Sequence, residues 1–166
     1  MFSRRVITSF LRPVAIAAGM VLIAACSQTP KATDGIGGGN AHVKPGSTQD
    51  FAVNVGNTVQ FEEDSSDLTA MAQSILDKQV RWLKSYGSYR VTIEGHADER
   101  GTREYNLALG ARRAISVRRY LISRGVRSSR LRTTSYGKER PAADCDAESC
   151  WRQNRRAVTA LGTAGS

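Results

Sequence analysis

Aromatic residues are scarce in this chain of 166 residues: Phe, Trp and Tyr together make up 7%. Proteins that hold single-stranded nucleic acid stack bases on such side chains. A formal net charge of +9 therefore stands without the rest of a nucleic-acid signature, and no recognition motif accompanies it. Histidine occurs only twice, as His42 and His96. Neither has a partner set for a nucleophile-and-base arrangement, and no paired carboxylates are placed for acid/base work. His96, Asp98 and Glu99 lie close together, but no second cluster completes a metal site. No catalytic residue, metal or cofactor is therefore expected. A hydrolase or amidase, the enzyme alternative, lacks its constellation. Acids are absent from the first 25 residues, and the apolar run there, residues 14–25, is short. At 1.5 Å per residue it reaches about 18 Å, against about 30 Å of bilayer hydrocarbon, which excludes a spanning helix. A flagellar stator subunit, which needs an uncleaved spanning helix with an ion-carrying acid, is excluded with it.

What is present at the N-terminus is a signal peptide over residues 1–25: Arg4, Arg5 and Arg12, a short apolar stretch, then small residues. Losing those three arginines lowers the net charge from +9 to +6. The exit, Ile23-Ala24-Ala25-Cys26, resembles the bacterial lipobox. That resemblance implies that Cys26 becomes the acylated first residue of the mature chain. Several acyl tails, at about 0.8 kcal/mol per buried CH₂, give stable anchoring. Ser27 rather than Asp after the cysteine implies the outer membrane. Residues 26–50 hold five glycines and two prolines after the cysteine and almost no large apolar residue. They read as a flexible linker that cannot offset its ordering entropy.

Residues 51–166 read as one α+β domain. Val53, Val55, Val59 and Phe61 alternate with polar residues, which predicts a first strand. Ser65, Ser66 and Asp67 are candidate caps for a helix from Leu68 to Tyr86, whose inner stripe includes Leu68, Met71, Ala72, Ile75, Leu76, Val80 and Leu83. Tyr89, Val91 and Ile93 alternate in a second strand. A second helix runs from Thr102 to Arg124, with Leu107, Gly110, Ala114, Val117 and Leu121 facing inward. Residues 130–137 and 156–161 add strands, with a short helix at 150–155 between them. The expected architecture is β-α-β-α-β-(α)-β, a mixed four-stranded sheet with helices on one face. Cys145 and Cys150 are separated by four residues, and export would place them where a disulfide forms. Two free thiols are the alternative, and zinc lacks ligands.

"HADERGTREYN", residues 96–106, is too polar for a core. It follows a strand and enters a helix, where free amide groups and the helix dipole favour ligands. Asn106 and Arg113 are seven apart, so they share a helix face about 10 Å apart. That face is one residue off the apolar stripe, which puts both at the rim of a groove with Asp98 at its mouth. Asp98 there suits an ammonium and Arg113 a carboxylate, a grip for a zwitterion. The alternative for Asp98 is a plain helix cap, and for Arg113 a solvated face. Arg112, Arg118 and Arg119 read as solvated, and Glu94 as a structural partner of an arginine. Arg100, with Glu99, Arg103 and Glu104, reads as supporting the loop or facing solvent.

The stretches "GHADERGTREYNLALGARRAISVRRYL", "SYGKERP", "NRRAV" and "VQFEEDSSDL" resemble the OmpA-like peptidoglycan-binding domain family, in particular its peptidoglycan-associated lipoprotein (Pal) branch. The resemblance covers about residues 57–161. It implies non-covalent binding of the meso-diaminopimelate stem peptide of peptidoglycan, whose side chain ends in an ammonium and a carboxylate. The family's binding residues fall on Asp98, Arg113 and Asn106. Phe61 and Asp64 carry the first-strand motif beside the site, and Ala97 and Leu109 are its walls. Many relatives have threonine where Ala97 stands, so a hydroxyl contact is missing here. The "CDAESC" insert also departs from the pattern. The resemblance further implies a lipid-anchored protein of the outer membrane, its domain facing the periplasm, and TolB and other Tol proteins as partners on an overlapping surface. It makes the chain a tether rather than an enzyme. Asn154, Arg155 and Arg156 brace the neighbouring strand or touch the ligand.

Overall fold

The computed structural model of the protein describes residues 43–162. The signal segment, Cys26, His42 and most of the linker lie outside the described residues. In chain order the elements are α1 (Thr48–Asp50), a π-helical stretch (Phe51–Gly56), β1 (Thr58–Gln60), α2 (Ala70–Ser85), β2 (Arg90–His96), α3 (Arg103–Ser123), a 3₁₀ turn (Ser128–Arg130), β3 (Leu131–Gly137), α4 (Glu148–Asn154) and β4 (Arg156–Gly162). The strands form one mixed sheet in the order β1-β4-β2-β3. β4 is antiparallel to both neighbours, while β2 and β3 are parallel, with Val91 opposite Leu131. Parallel neighbours need a long crossover, and α3 supplies it.

Alternation along the strands puts Val59, Val91, Ile93, Leu131 and Ala157 on one face. There they form a single core with Leu76 and Leu83 of α2 and Ala114, Val117 and Leu121 of α3. Full burial of each large aliphatic side chain contributes about 1.5–3 kcal/mol. The α+β architecture read from the sequence holds. α3 is pressed unusually close to the sheet. A Cβ on Gly95 would lie 1.8 Å from the Gly110 carbonyl oxygen, and one on Gly110 would lie 2.4 Å from Ser135 Oγ. Ser135 Oγ in turn donates to the Leu107 carbonyl at 2.8 Å. This glycine contact seats the first half of α3 against the ends of β2 and β3, where the polar stretch begins.

The structure corrects five local readings. Residues 51–56 are π-helical rather than extended, and Val53 is 66% exposed. Asp50 explains this. Its carboxylate accepts from Trp82 Nε1 at 2.8 Å, Gly46 N at 2.9 Å and Asn54 Nδ2 at 2.9 Å. Those bonds curl the segment and bring the Phe51 ring 4.9 Å from Trp82. The end of the expected linker is likewise packed: Tyr89 Oη donates to the Gly46 carbonyl at 2.8 Å, so residues 44–50 belong to the folded part. α2 starts at Ala70, because Thr69 Oγ1 accepts from Ala72 N at 3.1 Å. Ser65 instead closes a local turn with Asp67 N. Met71, in the first turn of α2, is 72% exposed and not part of the stripe. Finally, Leu107 is only half-buried, while Asn106, Leu109 and Arg113 are fully buried.

Candidate functional site

The loop from Ala97 to Thr102 leaves β2 and enters α3. Ala97 N donates to the Gly137 carbonyl at 2.8 Å, which fixes the start of the loop. Gly101 turns it with a φ of +87°, a region that disfavours side chains. Thr102 ends it as the α3 cap, its Oγ1 accepting from Tyr105 N at 3.2 Å. The plain-cap alternative for Asp98 therefore fails: Asp98 accepts from Arg100 N at 3.2 Å, within the loop. Asn106 is buried in the first turns of α3 and donates through Nδ2 to the Arg100 carbonyl at 2.8 Å. It holds the loop in shape from beneath.

Against this loop lies a cavity of about 320 Å³. Asp98, Asn106 and Leu109 line it together with Asp64, as expected, and so do Glu63, Arg100, Gly101 and Tyr105. Tyr105 was missed by sequence reasoning. Its hydroxyl donates to Asp64 Oδ1, closing one wall. Its signal was an aromatic residue in the first helical turn, three residues after the cap. Asp64 sits at a φ of +50°, which turns the acidic segment toward the loop. A second depression of about 350 Å³ lies between β1 and α2. Its lining carries one acid, Glu62, and one arginine, Arg152, against Glu63, Asp64 and Asp98 in the first, so the acid-lined cavity is the better ligand site.

Arg113 lies elsewhere than the rim position expected for it. It is completely buried, and its guanidinium serves three backbone carbonyls. Nε donates to Ser65 at 2.8 Å, Nη1 to His96 at 2.8 Å and Nη2 to Glu62 at 3.0 Å. The ring of Phe61, also buried, lies 5.2 Å away. The turn of residues 62–65 wraps over this side of α3 and turns the rim into interior. Arg113 thus clamps the acidic turn to the end of β2. Burial pushes its pKa down to about 10, so it stays charged at neutral pH. Phe61, Ala97 and Arg113 stand behind the cavity rather than in its lining.

Asp98 is also nearly buried, yet ionised. Burial opposes its charge, but the Arg100 guanidinium and amide, with Arg155, outweigh that and hold its carboxyl below the usual range. Arg100 Nη2 is 2.8 Å and Arg155 Nη1 3.4 Å from Asp98 Oδ2. Arg155 also pairs with Glu148 of α4. Asn154 braces the loop before α4 through the Ala142 and Ala143 amides, at 2.7 and 3.1 Å. Arg156 donates to the Arg140 carbonyl at 3.1 Å. Of these three, Arg155 alone reaches the site. The Cys145–Cys150 disulfide is formed, with its Cα atoms 5.7 Å apart, and staples the entry to α4. Trp151 of α4 lies beneath Arg100, 4.3 Å from ring centroid to guanidinium. The insert therefore frames the site. His96, buried beside Tyr136, has no hydrogen-bond partner on either ring nitrogen among the described residues, and burial followed by Arg156 lowers its pKa to about 4. Glu94 lies 4.0 Å from it.

Chemically, the arrangement is a cation-accepting cavity without a nucleophile or activated base. Among the described residues, no helix is long and apolar enough to cross a membrane. The model of the OmpA family matches residues 60–155. A peptidoglycan-associated lipoprotein of Rhizobium meliloti is 58% identical over 158 residues, covering 93% of this chain and 90% of the relative. One of Brucella melitensis is 54% identical, covering 98% and 99%. The crystal structure of the peptidoglycan-associated lipoprotein from Burkholderia pseudomallei superposes with a TM-score of 0.62 at 42% identity, over 64% of this chain and 90% of that one. The C-terminal domain of Helicobacter pylori MotB, at 22% identity, a TM-score of 0.61 and coverage of 66% and 86%, shares the fold.

Proposed function

This chain belongs to the OmpA family, and from that premise we propose that it binds peptidoglycan non-covalently and ties it to a membrane through acylated Cys26. It is a binding protein and not an enzyme. The observation that carries the reading is Asp98: a nearly buried, ionised carboxylate on the wall of an acid-lined cavity, at a strand-to-helix junction. A group bearing an ammonium is the ligand such a wall accepts. The side chain of meso-diaminopimelate in the stem peptide supplies one, with a carboxylate beside it.

In this reading Asp98 takes the ammonium, while Asn106, Leu109 and Asp64 shape the cavity. Arg113, expected from the sequence to take the ligand carboxylate, instead holds the acidic turn from behind the cavity through three backbone carbonyls. Phe61 and Ala97 back the site. The relatives' names support peptidoglycan as the partner. Placement in the outer membrane with the domain in the periplasm, TolB and other Tol proteins as competing partners, and a part in envelope integrity during cell division complete the proposal.

The test is co-sedimentation of a soluble fragment from residue 43 with purified sacculi. Asp98→Ala abolishes sedimentation while circular dichroism stays unchanged. Sedimentation retained by that variant would end the site assignment. Cys26→Ser tests the anchor separately, by releasing the protein from membranes.

A further inference from the structure

The cavity holds a cation of its own. An ionised carboxylate offers about four lone-pair positions. On Asp98, Arg100 takes three of them, through its amide at 3.2 Å, Nε at 3.3 Å and Nη2 at 2.8 Å, and Arg155 Nη1 approaches the fourth at 3.4 Å. An incoming ammonium finds no vacant acceptor there. One of the two arginines must yield.

The two are not equivalent. The Arg155 side chain is 4% exposed and also serves Glu148 and the Phe61 carbonyl, so it is built in. The Arg100 side chain is 36% exposed and has two supports away from Asp98. Its Nη1 lies 2.8 Å from Glu63 Oε1, and its guanidinium lies over the Trp151 ring. Trp151 is itself fixed by donating Nε1–H to Glu99 at 2.8 Å. Arg100 can leave Asp98 and remain paired.

We infer that Arg100 is a built-in counter-ion that tunes affinity at the site: it occupies Asp98 and is exchanged for the ligand's ammonium on binding. The inference rests on the assignment of Asp98 proposed above. A ligand group without charge that removed Arg100 would leave a nearly buried carboxylate short of its main counter-ion. An ammonium replaces one cation by another and avoids that cost. The internal cation thus sets the affinity at Asp98, while the carboxylate itself supplies the preference for an ammonium.

The experiment is calorimetric titration of the full chain in detergent with two synthetic stem peptides. One ends in meso-diaminopimelate, and the other carries an acetyl group on its side-chain amine. Arg100→Gln should bind the free-amine peptide about threefold to fivefold more tightly, as expected when a part-exposed ion pair stops competing. The acetylated peptide brings no cation to Asp98 and should tighten no more than the free-amine peptide, so the preference between them should not narrow. Arg103→Gln, which removes an exposed cation paired with Glu139, should change neither affinity. Equal or weaker binding by Arg100→Gln, alongside loss of binding in Asp98→Ala, would overturn the exchange while leaving Asp98 in place. The same tightening in Arg103→Gln would overturn it too, by showing a plain charge effect. Binding retained by Asp98→Ala would remove the underlying assignment.

Discussion

Asp50 and Asp98 are both aspartates held by several hydrogen bonds and kept ionised, yet their surroundings differ in kind. Asp50 is held by neutral donors: an indole, a backbone amide and a carboxamide. Asp98 is held chiefly by guanidinium groups, one of them part-exposed. Neutral donors of this sort are bound into the fold, one by a core ring and one by the backbone itself, so the Asp50 cluster is a lock. A part-exposed cation on a long side chain can be traded for another cation, and it is the Asp98 cluster that we propose as a receptor, filled until a ligand arrives. Charge on the donor, more than the number of bonds, separates the two roles.

If that distinction is right, locks show in stability and the exchangeable pair shows in binding. The largest stability effect belongs to Arg113, the lock beneath the receptor. Arg113→Ala leaves three carbonyls without their donor and should cost about 3–5 kcal/mol in urea denaturation. Arg113→Lys should recover only part of it, since one ammonium lacks the fork that spans all three. Next is His96. Its folded pKa, about 4, lies below the ordinary 6.5, so the unfolded chain binds the extra proton between those values. Stability should therefore be full above pH 6.5 and fall on the order of 2–3 kcal/mol by pH 4, and His96→Gln should flatten that slope. The double variant Cys145→Ser, Cys150→Ser should lose about 2 kcal/mol, with the change read in the thermal midpoint. Smallest is Asp50→Asn, which should lower the thermal midpoint slightly and leave sacculus binding intact. For Asp98 the sign runs with the acid side. Its folded pKa is depressed, so its charge is complete above the unfolded value of 3.8 and lost only below it. Sacculus binding should accordingly persist at pH 5.

Much of the fold was legible because it rests on periodicity. Val91 and Ile93 alternate, and Ala114, Val117 and Leu121 recur at helical spacing, which is all that a buried strand face and a buried helix stripe require. Asp98, Asn106, Leu109 and Asp64 were legible as neighbours around one cavity because they sit at a strand-to-helix junction or carry a family motif. The failures share a cause. Phe51–Gly56 has the alternation of a strand, but the neighbouring Asp50 is held by Trp82, 32 residues further on, and Gly46 by Tyr89, 43 residues further on, and these bonds draw the segment into a helical turn. Arg113 reads as a rim residue on a bare helix, and a turn some 50 residues earlier covers it. Arg100 reads as a loop support, because nothing local reveals Glu63 and Trp151 on either side of it.

The sequence by itself determined the order of elements, the sheet's buried face, the junction that bears the site and the residue types the site contains. Each follows from local spacing and from what side chains of a given polarity tolerate. Only the tertiary structure decided which of those charges face the cavity, which are spent on backbone carbonyls and which are already paired. The reason is physical: hydrogen-bond partners are allotted by proximity in space, and the partners of Asp98, Arg113 and Asp50 include residues distant along the chain.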